Sequence, residues 1–233
     1  RPLNAHHGGV ALGAFFLLFQ CDVCMPLVTF VIPTIGRKTL PRTLASLHAQ
    51  TDTAWEAIVV YDNIQPTTAS SSRIQTLRTP HQLGIPPNGA GAVRNLGMEH
   101  VTTPWVAFVD DDDVLDPTYV AALRQNISNH PSLPAMIFRM VNHDGNVLPP
   151  LEHSMFQPCA VGISFSVRMD FWRAHQLAFH PSPMEDYTLL CRIHALTDML
   201  LASQVTYFVR NRRRSGRRRA KVSCPEHVIG RET

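Results

Sequence analysis

Trp105–Asp113 reads WVAFVDDDD, and this stretch decides the fold. Five apolar residues run without a polar interruption, as a strand buried on both faces requires. The run then ends in four carboxylates, so the strand carries a dense charge to its carboxyl end. Four adjacent carboxylates repel one another. The cluster predicts either a solvated acidic turn capping a helix that starts at Pro117, or a site for a cation. A hard divalent ion takes oxygen ligands, and Mg2+ typically uses one or two carboxylates plus substrate phosphates. If strand geometry persists through Asp111, successive side chains of the cluster alternate in direction.

Two further segments share this plan. Leu27–Pro33 (LVTFVIP) is a β-branched apolar run ending at Pro33-Thr34, and Glu56–Tyr61 (EAIVVY) ends at Asp62-Asn63. Between them, Thr39–Gln50 carries leucines at 40, 44 and 47, the spacing of one helical face. Gln65–Ser72 is rich in Thr and Ser and reads as a loop. Gly91–Val101 reads as a helix, as do Pro117–Asn129, Asp170–His175 and Glu185–Thr197. Met136–Val141, Gly162–Val167 and Val205–Val209 read as strands. Strands alternating with helices predict an α/β domain with a mostly parallel, Rossmann-like sheet and helices on both faces. Ligands of such sheets bind at the carboxyl ends of the strands. Three apolar strands here end in polar groups, which gathers one polar cluster over a single edge.

The chain has 233 residues, 45% hydrophobic and 17% charged, which suits one packed domain and excludes a disordered or collagen-like chain. The net charge of +3 hides an asymmetry. Eight Lys/Arg and no acids lie between Arg210 and Lys221, and the 18 acids outnumber the basic residues of the rest. The body is mildly acidic with one basic segment, so nucleic acid is not an expected partner. Five cysteines are too few and too scattered for a disulfide framework. Residues 1–24 contain a short apolar run, Val10–Phe19, and read as a leader or non-native extension outside the fold. The fold is expected over 25–211, followed by a basic tail over 212–233. Cys21 and Cys24 form a single CxxC, which without a second ligand pair reads as two incidental thiols. A cytoplasmic setting is expected, with a candidate membrane association.

Four motifs in order, VTFVIPTIGR, AIVVYDN, GAVRNLG and FVDDDDVLDP, resemble the inverting glycosyltransferases of family 2. The resemblance runs from about Leu27 to Asn211. It implies the GT-A fold, a nucleotide-binding α/β domain with a DxD metal motif and a small acceptor-side region. It implies a metal-dependent transferase moving a sugar from a nucleotide-diphosphate sugar, a UDP-sugar first among them, to a glycan or other hydroxyl acceptor.

The same resemblance implies roles for matched residues. Pro33 and Thr34 would line the nucleotide. Asp62 would accept from an N–H of the base. Arg94 matches an arginine near the base and phosphates, and Asp110 would reach the ribose. Asp112 would hold Mn2+ or Mg2+ against the diphosphate, with Asp111 and Asp113 in support. The register of DxD within Asp110–Asp113 has an alternative, Asp111/Asp113; the downstream Pro117 favours the first. Met184-Glu185-Asp186-Tyr187 matches the family's Glu-Asp motif. Asp186 would then be the general base, with Glu185 in support or binding the acceptor. On its own, that pair reads as acids at a helix N-terminus. Departing phosphate charge calls for a Lewis acid, and the attacking hydroxyl calls for a base within hydrogen-bond reach.

Other features compete. Gly89-x-Gly91-x-x-Arg94 imitates a dinucleotide fingerprint, but arginine replaces the third glycine. His48, His81 and His175 stand alone and read as ordinary surface or core residues, and His6-His7 lies in the leader. Where relatives supply a late histidine to the ion, this chain continues as Arg212-Arg213-Arg214, leaving His227 as a substitute. Arg212–Arg219 reads first as a solvated tail, then as a diphosphate contact or a peripheral contact with an anionic membrane. The alternatives to a transferase are a nucleotide- or RNA-binding protein without catalysis and a sugar-phosphate nucleotidyltransferase. The latter's glycine-rich signature is missing from PTIGRKTLP.

Overall fold

The computed structural model describes residues 25–84, 89–157, 160–182 and 184–210. The expectations for residues 1–24, for Arg212–Arg219 and for His227 lie outside these residues. The first half of the chain builds β1 (Val28–Thr34), α1 (Leu40–His48), β2 (Trp55–Tyr61), β3 (Ile74–Arg78), α2 (Gly91–Met98) and β4 (Trp105–Phe108). The second half adds β5 (Val114–Leu115), α3 (Tyr119–Asn129), β6 (Ala135–Val141) and β7 (Val147–Leu148). It ends with β8 (Phe165–Arg168), α4 (Met169–Ala174), α5 (Glu185–Leu196) and β9 (Leu200–Phe208).

One nine-stranded sheet runs in the order β3-β2-β1-β4-β8-β6-β9-β5, with β7 paired to β6. β1 to β4, β6 and β9 share one direction, while β5, β7 and β8 oppose it. The sheet is therefore mostly parallel, as the alternation of strands and helices predicted. The apolar runs became its centre: β1 is buried at all seven positions and β4 at all four.

Helices cover both faces. Phe30 of β1 meets Tyr119 of α3 edge-on, with ring centroids 5.5 Å apart. Its neighbour Val31 points the other way, beneath α2. There α2 approaches so closely that a Cβ on Gly97 would lie 2.6 Å from Val31 Cγ1 and 3.1 Å from Val60 Cγ2. Glycine at 97 is thus what seats α2 on β1 and β2. Among the described residues no helix is long and apolar enough to cross a membrane.

Some expected boundaries moved. β9 starts at Leu200 rather than Val205, because its first half pairs with β6 through a register irregularity around Arg139. The strand expected from Gly162 begins only at Phe165. β3, β5 and β7 were not foreseen. β3 is a half-exposed edge strand, IQTLR, without a continuous apolar run. β5 and β7 have two residues each, and only their partners β9 and β6 make them strands.

Candidate active site

The carboxyl ends of β1, β2 and β4 converge on one rim. Thr34 pairs in register with Tyr61, and the Asp62 N–H donates to the Thr34 carbonyl at 2.8 Å. Beyond β4, the chain turns over Asp110–Asp113, closed by the Asp113 N–H donating to the Asp110 carbonyl at 3.1 Å. Helix α1 holds this turn from outside. Arg42 donates to the Asp112 carbonyl and Thr43 to the Asp113 carbonyl, each at 2.7 Å.

The turn changes how the aspartates point. Strand β4 ends at Phe108, so the alternation expected of a continuing strand does not apply. Carboxylate oxygens of Asp110, Asp112 and Asp113 instead lie within 4.8 Å of one another. Asp111 departs from this group. Its Oδ2 accepts from the Thr34 hydroxyl at 2.5 Å, and its Oδ1 lies 3.2 Å from Arg37 Nη1. Arg37 pairs with Asp112 as well. Three hard oxygen donors converging in this way suit a divalent cation such as Mn2+ or Mg2+.

Asp111 and Asp113 are each only 4% exposed, so their charges need compensation. The compensation comes from hydrogen bonds. Asp113 Oδ2 accepts from the Tyr207 hydroxyl at 2.9 Å, and its Oδ1 from the Arg210 N–H at 3.1 Å. These do not fully offset desolvation. Burial, reinforced by the charge of Asp110, pushes the Asp113 carboxyl up to about 7. Burial also raises Asp111, against the pull of Thr34 and Arg37.

On the nucleotide side, Pro33 and Thr34 close β1 at the rim, and Thr34 is buried beneath the turn. Asp62 is buried and already engaged. It accepts from the Leu83 N–H at 2.7 Å, the Gly84 N–H at 2.9 Å and the Thr79 hydroxyl at 3.1 Å. Its carboxylate therefore pins the segment that follows β3. Ionised carboxylates offer about four acceptor positions, and among the described residues these bonds take three of them.

Arg94, on α2, is 3% exposed and holds the two halves of the site together. Its Nη2 lies 2.5 Å from Asp110 Oδ1 and its Nη1 3.3 Å from Glu185 Oε1. The guanidinium also sits over the Phe179 ring at 5.3 Å. Burial disfavours its charge, but Asp110 and Glu185 outweigh that and raise its pKa. Glu185 and Asp186 occupy the first turn of α5, where the helix dipole favours negative charge. Glu185 also reaches the start of α2: a Cβ on Gly89 (φ +53°) would come within 2.9 Å of Glu185 Oε1. Asp186 accepts from the Tyr187 N–H at 2.8 Å. Burial raises its carboxyl, while Arg94 works in the opposite direction.

Pro33, Thr34, Asp110, Asp111 and Asp112 thus share one rim, and Arg94 links it to Glu185 and Asp186 on α5. Three residues that shape the site had not been singled out in the sequence: Arg37, Arg42 and Tyr207. Arg37 had a signal, since it follows β1 directly in PTIGR. Tyr207 had none, because nothing local marks a tyrosine in YFVRN as the partner of a turn about a hundred residues earlier.

The sequence model for "Glycosyl transferase family 2" matches residues 29–185, two thirds of the chain. The chain belongs to this family. No curated protein matches this family 2 member significantly. Its fold is that of solved GT-A glycosyltransferases. Residues 1–349 of S. aureus TarS superpose with a TM-score of 0.65 at 17% identity, covering 78% of this chain and 60% of that one. The same TarS fragment in complex with UDP-GlcNAc gives 0.64 at 17% identity, covering 79% and 58%. A mannosyltransferase, PcManGT from Pyrobaculum calidifontis, in complex with GDP-Man and Mn2+, gives 0.59 at 13% identity, covering 83% and 59%. This family 2 chain thus spans about 60% of the TarS fragment.

Proposed function

We propose that the chain transfers a sugar, with inversion, from a nucleotide-diphosphate sugar to a hydroxyl acceptor, using Mn2+ or Mg2+ and Asp186 as general base. The observation that carries this reading is the double contact of Arg94. One buried guanidinium joins Asp110, on the donor side, to Glu185, which immediately precedes Asp186. The two chemical tasks, donor binding and deprotonation, thereby share one rigid support.

A divalent ion bound at the aspartate turn would supply Lewis-acid stabilisation of the departing diphosphate. Asp112, with Asp110 and Asp113, would hold it, and α1 fixes the turn through Arg42 and Thr43. Pro33 and Thr34 would face the nucleotide, with Asp110 reaching the ribose and Asp62 the base. Asp186 would take the proton of the acceptor hydroxyl. Its burial suits that role, because a carboxylate short of solvation binds a proton more readily. Glu185 would orient the helix start and meet the acceptor. The binding of UDP and UDP-GlcNAc by TarS and of GDP-Man and Mn2+ by PcManGT supports a nucleotide-sugar donor, a UDP-sugar first, and a divalent ion. The reading assigns 25–211 to the catalytic domain. It leaves Arg212–Arg219 as a candidate contact with an anionic membrane in a cytoplasmic setting.

The test is a panel of UDP-, GDP- and other nucleotide sugars with hydroxyl acceptors, with Mn2+ or EDTA. Metal-dependent release of one nucleotide diphosphate, abolished by Asp112→Ala, is expected. Full turnover in EDTA would remove the metal from the reading. Failure to bind or turn over any donor would remove the transferase.

A further inference from the structure

We propose that Tyr207 is a positioning residue for the aspartate turn, setting its affinity for a divalent cation through Asp113 and Asp110. The inference rests on the metal-dependent reading above and adds to it a residue outside the four aspartates.

Tyr207 is fully buried on β9. Its hydroxyl makes two hydrogen bonds, both to the turn. It donates to Asp113 Oδ2 at 2.9 Å and accepts from the Asp110 N–H at 3.2 Å. One oxygen therefore ties the first and last residues of the turn together. The backbone supports this geometry: Leu115 pairs with Tyr207, so β5 leaves the turn directly alongside β9. A second bond from the same segment, the Arg210 N–H to Asp113 Oδ1, keeps that carboxylate from rotating. A ligand carboxylate so fixed binds without first losing rotamer freedom. Partners that hold a ligand in this way typically contribute about 10–100-fold to metal affinity. The late segment of the chain thus serves the ion through a hydroxyl acting on a carboxylate.

Tyr207→Phe removes only the hydroxyl and keeps the ring. Mn2+ alone is titrated into the full chain and followed by electron paramagnetic resonance of the free ion. A rise in Kd of about 10–100-fold is expected. Tyr119→Phe is the control for a purely structural effect. Tyr119 is also fully buried, and its hydroxyl shares a 3.0 Å hydrogen bond with Ser166, on the face of β1 covered by α3. It is expected to lower Tm while leaving the Mn2+ Kd unchanged. Equal Mn2+ affinity in wild type and Tyr207→Phe would overturn the proposal, as would an equal loss in Tyr119→Phe. Asp113→Asn keeps Tyr207 and removes the carboxylate through which it acts, itself a holder of the ion: unchanged Mn2+ affinity there, whether or not Tyr207→Phe folds, overturns the proposal too. A wild-type chain that binds no Mn2+ would remove the metal reading and this role with it, whereas binding in wild type with no change in the variants removes this role only.

Discussion

Arg94 donates to Asp110 across 2.5 Å, joining α2 to the turn that follows β4. Arg94 is almost wholly enclosed, while Asp110 retains contact with solvent. A buried cation of this kind is costly to remove singly, because the mostly enclosed Glu185 then loses its partner, while Asp110 regains water. Arg94→Met is expected to cost about 1–3 kcal/mol of stability. Urea denaturation of the two proteins checks it. Arg94→Lys keeps the charge but has no fork with which to reach Glu185 and Asp110 together, so it should recover only part of the loss.

Asp186→Asn should leave nucleotide binding nearly intact while kcat falls by about 10²–10⁴-fold, the usual contribution of a positioned base. Steady-state kinetics with a matched titration of the nucleotide separates the two quantities.

The pH dependence has a defined direction. Burial raises the Asp186 carboxyl, so the proton leaves it at a higher pH than from an exposed aspartate. A general base at Asp186, as proposed, would be inactive while protonated. Activity should therefore rise with pH through that elevated value, and the acid limb of the kcat profile should lie above the ordinary carboxylate range. The same shift costs stability as pH rises through the interval between the unfolded and the folded value, because the folded state binds the proton more tightly there. A kcat profile whose acid limb falls at the ordinary value would disprove the assignment.

Arg37 contacts Asp111 and Asp112 from the loop after β1, so it would compete with a divalent ion for Asp112. Its side chain is partly exposed, which limits such a pair to about 0.2–1 kcal/mol. Arg37→Ala should thus tighten binding of Mn2+ alone by no more than about 5-fold. Titration without nucleotide checks the direction.

Gly97→Ala places a methyl group 2.6 Å from Val31 Cγ1. A helical alanine would gain about 1 kcal/mol of propensity over glycine. Overpacking against a rigid buried strand typically costs about 1–3 kcal/mol and should win here. A lowered Tm is expected, and an unchanged one would mean that α2 can shift away from the sheet.

Most of the architecture was legible locally, because burial on both faces of a parallel sheet leaves continuous apolar runs. LVTFVIP, EAIVVY and WVAFV became β1, β2 and β4 within a residue or so at each end. The polar residues that close these runs marked the rim of the site, and the four aspartates stood out because nothing apolar separates them. The antiparallel insertion of β8 between β4 and β6 was not legible, since a four-residue strand carries no record of its direction.

The amino-acid sequence by itself determined the order of the main strands and helices, the carboxylates at the end of β4 and the acidic start of α5. These depend on neighbouring residues and on the period of burial. Only the tertiary structure decided which carboxylates converge, that Asp111 turns away to Thr34 and Arg37, and that Arg94 and Tyr207 hold the two sides. Those arrangements join residues up to 97 positions apart. Side-chain hydrogen bonds across such a separation leave no periodic trace, because they exist only once the sheet has brought β4, β9, α2 and α5 to the same rim.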